Sequence, residues 1–520
     1  MSTDNCFKTI KFACETKRIQ PPVKIEDACT DEAQLKMWSS HFYQTLNEQS
    51  DNCKSNSTAQ YQAKSFNNSD KPRPFTLESI NKIIDKLDNK KAYKNHTIWK
   101  FSPPNARKIL LHCLNKFWTD GENLDIWKVF IVPIPKGNKK DLSLKKSWRP
   151  ISIGSSEAFI LEKLILNQNE DKFKTSNFQF AYKKFHSTQF PIEILRKFKQ
   201  KYDYFYSLCL DASAAFDKIS FARIEKCLEE HHFTPVETNR LMKMLKLNEY
   251  SVKWKDLEGE HFNQQNGIKQ GGCLSATIFA CCYDSLVMEL IKAGPGVEGI
   301  PVLIYADDIC LISFSLDGVI KLYEIVKKWS KNDIQFNQTK SALTLMGTKS
   351  KIKAEKLENN INSTLNKHRL NFPFIKNCNT MYLGINLNDE LESNNRSRKI
   401  YYETNKVYKL VQHWSTAIKQ RVFYAKIIGS LYCTTVDTLT PQITTAYRNA
   451  TKRIFRNEVN LNLDINNKNI SNRRLYQIAS KIPSPGEIGR KNSWSLYKRS
   501  TEHRNIVVKN VLGFIPRKLM

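Results

Sequence analysis

The chain has no run of about 18 consecutive apolar residues, which argues against a membrane-spanning helix. It opens Met1-Ser2-Thr3-Asp4-Asn5, without the charged leader and apolar core of a secretory signal. Its 13 cysteines show no paired spacing, and no C-x-x-C is matched by a distant His pair. Neither a disulfide framework nor a zinc site is therefore expected. Unpatterned thiols suit a reducing interior, where Cys acts as a small hydrophobe. Triplets such as Asn56-Ser57-Thr58 then carry no glycan, and the expected location is intracellular. No internal repeat is evident. Acidic residues are in short supply, 51 against 81 Lys plus Arg.

That shortage leaves a formal net charge of +30, spread through most of the chain. Such a balance suits a polyanionic partner, and nucleic acid comes before an anionic membrane because no amphipathic or spanning segment supports the latter. Hydrophobic residues at 41% and aromatics at 11% mark a globular chain rather than a disordered one. Its 520 residues are enough for several subdomains and a sizeable core.

The periodicity predicts a helix from Glu32 to Leu46, with Leu35, Trp38, Phe42 and Leu46 on one side. Residues 48–73 are rich in Asn, Ser, Gln and Lys and read as a flexible linker. Thr76 is a natural N-cap, followed by the stripe Ile80, Ile83, Ile84 and Leu87. Extended runs are expected over Ile126–Ile134, from Trp148, and over Tyr204–Leu210. Ile219–Leu245 reads as helical with a break near Pro235, and Leu274–Lys292 as one long apolar helix. Another helix is expected over Asp317–Lys331, and basic helices interleaved with tyrosines follow residue 390. Strands mixed with helices in a central block, then a helical tail, give an α+β class.

Two β-prone runs, Val302-Leu303-Ile304 and Ile309-Cys310-Leu311-Ile312, flank Tyr305-Ala306-Asp307-Asp308. They predict a hairpin with both aspartates on its turn. Adjacent carboxylates repel, so a cation must compensate them. Asp211 ends a separate apolar strand, and if the strands are neighbours the three carboxylates converge at one sheet edge. Two divalent ions between them would activate a primer hydroxyl and hold a triphosphate. Hard oxygen ligands select Mg²⁺, with Mn²⁺ as the substitute.

The run Leu210-Asp211-Ala212-Ser213-Ala214-Ala215-Phe216-Asp217 resembles the first catalytic motif of non-LTR (LINE-type) retrotransposon reverse transcriptases. Asn266 to Ser275, through Gln270-Gly271-Gly272, resembles their second motif, and Tyr305-Ala306-Asp307-Asp308 their third. Asn337-Gln338-Thr339-Lys340-Ser341 and Tyr382-Leu383-Gly384-Ile385 resemble the fourth and fifth. Upstream, Pro133 to Gly137 and Trp148 to Ser152 resemble the family's fingers motifs, so ordered matches run from about residue 75 to about 390.

The resemblance implies a right-hand polymerase of fingers, palm and thumb that copies an RNA template onto a DNA primer from deoxynucleoside triphosphates. Asp211, Asp307 and Asp308 would be the metal-binding triad, joined by the carbonyl of Ala212. Phe216 would be the gate against a ribose 2′-hydroxyl. Arg149, Lys136 and Lys340 would neutralise triphosphate, and Gln270, Gly271 and Gly272 would lie against the incoming base and template. Tyr382, Leu383 and Gly384 would grip the primer terminus. The implied order is a spacer-like helical segment at 1–47, a linker at 48–74, fingers at 75–203, palm at 204–390, thumb at 391–460 and a basic extension at 461–520. Expected locations are the nucleus or a cytoplasmic ribonucleoprotein.

Several positions depart from the pattern. Ala181, Tyr182 and Lys183 stand where Gly, Phe and Arg are usual, Ala276 replaces a Pro, and Lys91 to His96 lacks a Pro-Gly and an Asp. Residues 1–75 are too few for the endonuclease expected before such a domain, so none is expected within this chain. No Cys/His knuckle or RNase H acidic pattern is read after residue 460. The competing readings are a catalytically degenerate nucleic-acid-binding remnant and a group II intron-type maturase-polymerase. An RNA-dependent RNA polymerase is disfavoured by Phe216.

Overall fold

The computed structural model describes residues 24–47, 71–88, 96–136, 141–184, 186–294, 296–331, 333–456, 475–477, 479, 482–501, 508 and 511–512. Most of the linker expected at 48–74, the segment 91–95, Gly137 and much of 461–520 lie outside them. The strands that organise the fold are β1 (Lys128–Pro135), β2 (Trp148–Ile153), β3 (Phe205–Leu210), β4 (Glu249–Trp254), β5 (Val302–Tyr305), β6 (Asp308–Ser313) and β7 (Ala342–Met346). The helices used below are α1 (Asp31–Asn47), α2 (Leu77–Ile84), α3 (Ser156–Gln168), α4 (Gln189–Lys201), α5 (Cys273–Cys282), α6 (Asp284–Ala293), α7 (Leu316–Ser330), α8 (Asp389–Val411) and α9 (Pro441–Ile454).

Strand β3 lies in the middle of a five-stranded sheet ordered Phe374–Ile375, β7, β3, β6, β5. Its six residues are all buried, as an apolar strand covered on both faces must be. Alternation sends Leu208 and Leu210 into one core with α3, α5, α6 and α7. Cys209 goes to the opposite core with α4, and Cys310 of β6 faces it there with 3.8 Å between sulfurs.

The free edge of β5 is extended by a short strap. Phe180 N donates to Ile304 O at 2.8 Å, and Ile304 N donates to Phe178 O at 2.9 Å. The strap comes from the stretch expected to be fingers, yet it and α4 pack on this central sheet. Conversely β4, from the stretch expected to be palm, pairs in parallel with β1 in a second sheet, β2–β1–β4. The boundary expected at 203/204 therefore does not separate the packing units.

Helix α1 is seated on this second sheet. Trp38 stacks on Phe42 at 5.4 Å and meets Trp148 edge-on at 5.6 Å, while Gln34 accepts from the Trp254 indole at 3.0 Å. The stripe Trp38, Phe42, Leu46 is buried here, as its periodicity predicts.

Helix α2 starts at the expected cap, where Thr76 accepts from Ser79 N and the Ser79 hydroxyl accepts from Thr76 N to close the capping box. Leu87 is buried beyond the helix end. The expected Leu274–Lys292 helix divides at Tyr283 into α5 and α6. Asp284 starts α6 and accepts Ser176 N on both oxygens, at 3.0 and 2.9 Å. By length and composition alone Cys273–Ala293 is apolar enough to cross a membrane, and 61% of its apolar window is buried inside the fold, as in a core helix. Helices α8 and α9 build a third core around Val407, Val411, Phe423 and Tyr447.

Candidate active site

The register of the central sheet brings the carboxylates together. Strands β3 and β6 run antiparallel, and their last pair is Leu210 with Ile309. The next residues outward are Asp211 on one strand and Asp308 on the other. Tyr305 pairs with Asp308 to close the hairpin, so the two-residue loop is Ala306-Asp307. The expectation that both aspartates occupy the turn is corrected: Asp307 does, and Asp308 is the first residue of β6. Ala306 adopts φ +58°, which such a tight loop requires.

Asp211 is held by its backbone. The segment Gln335–Phe336 pairs with Ala212–Ser213, aligning Phe336 with Ala212. Asn337 N donates to Asp211 O at 2.9 Å, and Asp211 N donates to Ser341 Oγ at 3.1 Å. Ser341 passes its own proton to Asn337 O at 2.8 Å. The fourth motif is thus a clamp on the first. It also carries Lys340, whose Nζ lies 3.8 Å from Asp211 Oδ2.

Burial and mutual repulsion raise two of the three carboxyls. Asp307 is pushed above the usual carboxylate range by burial and by Asp211, with Arg149 pulling the other way. Asp308 is pushed up to about 6 by burial, then by Asp307 and Asp211. This excess of hard negative oxygen suits a divalent ion such as Mg²⁺. Among the described residues, however, no three such side chains are drawn tightly enough to cage an ion as they stand. The donor chemistry fits a metal, and closure of the ligand set is left to substrate oxygens and water.

Next to the carboxylates, Phe216 stacks on Phe279 with centroids 3.9 Å apart and planes 11° apart. Its ring is fixed from behind. Gln270 donates its Nε2 to both oxygens of Asp217, each at 2.9 Å. Asp217 is buried, and burial lifts it to about 6 against the pull of Gln270, Lys136 and Lys218. Lys136 and Arg149 flank the end of the β1–β2 ladder, where Ile134 pairs with Arg149 and Lys136 N donates to Ser147 O at 2.7 Å. Both side chains belong to exposed residues.

The glycines make close contacts within the protein. Gly271 sits at φ +128°, and a Cβ there would lie 2.6 Å from Ser152 O. At Gly272 a Cβ would meet Ser275 Oγ at 2.6 Å and Glu162 Oε2 at 3.1 Å. The close approach they permit within the protein is to β2 and to α3. Ser152 N donates to Gln270 O at 2.7 Å across this contact. Glu162, buried on α3, pairs with Lys269 at 2.6 Å and accepts Leu274 N at 3.2 Å at the start of α5.

Tyr382, expected at the primer grip, is an anchor of its hairpin. It is buried, and its hydroxyl donates to Leu303 O of β5 at 3.1 Å. That bond anchors a hairpin in which Met381–Tyr382 pairs with Ile385–Asn386. The tip is presented, with Leu383 at φ +50° and exposed Gly384 at φ +77°, and Met381 is exposed beside it.

Sequence reasoning assigned no chemistry to four residues at this site: Asp217, Glu162, Gln179 and Tyr182. Gln179, fully buried, accepts from Ala181 N at 3.0 Å and Ala306 N at 3.1 Å, tying the strap to the Asp307 loop. Lys183, where the family pattern has Arg, donates to the carbonyls of Thr175 and Ser176. Burial lowers its pKa to about 8, and it turns away from the carboxylates. Asp217 had a visible signal, since it closes the quoted run beginning at Leu210.

Residues 134–387 match the family described as reverse transcriptase (RNA-dependent DNA polymerase). The chain is 25% identical over 190 residues to the "Retrovirus-related Pol polyprotein from type-1 retrotransposable element R2" of Popillia japonica, across 34% of this chain. It spans about a quarter (26%) of that relative's length. Two solved structures are also similar. One is an apo telomerase from Candida tropicalis, truncated from the C-terminal domain, with 14% identity, TM-score 0.33, 44% of this chain and 52% of that one. The other is the Sicinivirus 3Dpol RNA-dependent RNA polymerase, with 13% identity, TM-score 0.31, 45% of this chain and 48% of that one. The fold assignment rests instead on the sheet order and the domain match.

Proposed function

We propose that this chain, whose residues 134–387 match the reverse transcriptase family, extends a DNA primer on an RNA template as the polymerase of a non-LTR retrotransposon. The observation that carries the reading is the β3–β6 register, which sets Asp211 opposite Asp308 and beside Asp307. Divalent metal held by Asp211, Asp307 and Asp308, with the Ala212 carbonyl, would supply the charge that activates the primer 3′-hydroxyl and stabilises leaving pyrophosphate.

The chain's own residues do the rest. Arg149 and Lys136 offer cations to the triphosphate, Arg149 through its forked donors. Lys340, 3.8 Å from Asp211, would add a third cation and would give a proton to the departing oxygen. Phe216, immobilised on Phe279, excludes a ribose 2′-hydroxyl by bulk. Asp217 holds the Gln270 carboxamide in one orientation, so its oxygen is offered to the nucleotide side.

The central sheet is then the palm and the β1–β2–β4 sheet part of the fingers. Helices α8 and α9 are the thumb. They carry cation–aromatic pairs, Lys406 over Tyr402 at 4.8 Å and Arg453 over Tyr408 at 3.7 Å. Exposed Tyr401 and Tyr402 lie among these cations, a surface suited to a duplex backbone. Ten described cysteines are free thiols, and we place the chain inside the cell, in the nucleus or a cytoplasmic ribonucleoprotein.

The test is extension of a DNA primer on an RNA template with Mg²⁺, wild type against Asp307→Asn. Deoxynucleotide addition that disappears in the variant, with salt-sensitive RNA binding kept by both, is expected. Binding without extension by the wild type would replace this reading with a binding-only protein.

A further inference from the structure

Tyr182 is placed where nothing above assigns it work. Its φ of +57° is rare for an aromatic residue, whose Cβ is crowded in that region. Strain of this kind persists when the surroundings hold it. They do so on both sides. Before it, Gln179 and the strap bonds Phe180 N to Ile304 O and Ile304 N to Phe178 O fix residues 178–181 to the edge of β5. After it, Lys183 is tied to Thr175 and Ser176.

The ring thus held is 51% exposed and stands edge-on to Phe216, with centroids 6.5 Å apart and planes at 89°. Phe216 is covered on one face by Phe279, so Tyr182 makes a corner with what remains of that ring. The corner opens beside the Asp307 loop. The phenol lies near enough to Asp307 and Asp308 to feel their charges. A tyrosine hydroxyl is neutral at ordinary pH and able to donate.

We propose that Tyr182 is the second wall of the sugar pocket, its hydroxyl donating to the 3′-hydroxyl of the incoming deoxynucleotide, so that it favours extendable substrates over 3′-deoxy ones. The inference rests on the polymerase reading above. A sugar lying with its 2′ carbon against Phe216 turns the adjacent 3′ carbon toward the perpendicular ring. Bulk decides at 2′, where a hydroxyl must be refused. A hydrogen bond decides at 3′, where a hydroxyl must be kept, because a site built to bond a hydroxyl rejects the analogue lacking it.

The experiment is single-turnover addition of a deoxynucleotide and its 2′,3′-dideoxy analogue to a DNA primer on RNA, by wild type, Tyr182→Phe and Tyr182→Ala. Tyr182→Phe removes only the oxygen and should cut the preference for the deoxynucleotide about five- to tenfold, the worth of one hydrogen bond. Its preference for deoxy- over ribonucleotide should stay as in wild type, since Phe216 is untouched. Tyr182→Ala should lose the 3′ preference to at least the same degree. An unchanged dideoxy ratio in Tyr182→Phe overturns the proposal. So does an equal loss of rate with both nucleotides, which would make Tyr182 a structural residue only. Wild type that binds RNA but adds neither nucleotide sinks the polymerase reading itself, and the inference with it.

Discussion

Burial and function pull in opposite directions at Asp217. Its side chain is 6% exposed, and burial lifts the carboxyl from 3.8 to about 6 despite Gln270 and two lysines. A rise of about two units corresponds to about 3 kcal/mol. The folded-state pKa lies above the unfolded one, so the group's favourable contribution is complete below about pH 4. It is lost as pH rises through about 6, and above that the ionised carboxylate costs the fold about 3 kcal/mol. Asp217→Asn keeps the shape and removes the charge, but gives up one of the two bonds from Gln270, about 1 kcal/mol. The expected sum is stabilisation of about 2 kcal/mol at pH 7.5 and destabilisation of about 1 kcal/mol at pH 4. Urea denaturation of the full chain, followed by tryptophan fluorescence, should show the midpoint moving up at the higher pH and down at the lower. A shift of one sign and size at both pH values would refute the electrostatic account. The same variant should lower kcat/KM for deoxynucleotide addition at pH 7.5, because the Gln270 carboxamide is then free to flip. Greater stability with lower activity is the signature of a strained site.

Three further outcomes follow from single contacts. Phe216→Ala should raise ribonucleotide incorporation relative to deoxynucleotide in competition assays; an unchanged ratio would remove Phe216 from the sugar site. Gly271→Ala should lower the denaturation midpoint by the equivalent of about 2–3 kcal/mol, because φ +128° and a contact 2.6 Å from Ser152 O leave a methyl no space. A neutral result would mean that β2 and the Gln270 loop separate freely. Tyr382→Phe should cost about 1 kcal/mol by removing the hydroxyl's bond to Leu303 O under the hairpin. If instead stability is kept and primer affinity falls, Tyr382 contacts primer after all.

The parts legible in the sequence were those where local chemistry and tertiary context agree. Asp211 ends an apolar strand, Thr76 caps a helix, and Pro235 starts one, each where pattern alone predicts. The hairpin was legible too, but its closing pair was not, because sliding one residue decides whether Asp308 belongs to turn or strand. The strap at 178–180 was invisible because it is made by backbone bonds to Ile304, which side chains do not announce. Strand β4 was missed for a related reason, its pairing with β1 lying more than a hundred residues away in the chain. Gln270 was identified without Asp217, 53 residues earlier, although the two form one unit. The burial of Tyr382 was not legible, since burial of a tyrosine is set by what packs over it.

The central claim is that Asp211, opposite Asp308 and beside Asp307, works with them as one catalytic centre. Its most direct measurement is single-turnover addition of one deoxynucleotide to a DNA primer on an RNA template with Mg²⁺, by wild type and Asp211→Asn. Addition by the wild type, with loss of at least a thousandfold in the variant and RNA affinity unchanged, is the predicted result. Equal rates in the two proteins, with Asp211 neutralised, would contradict it.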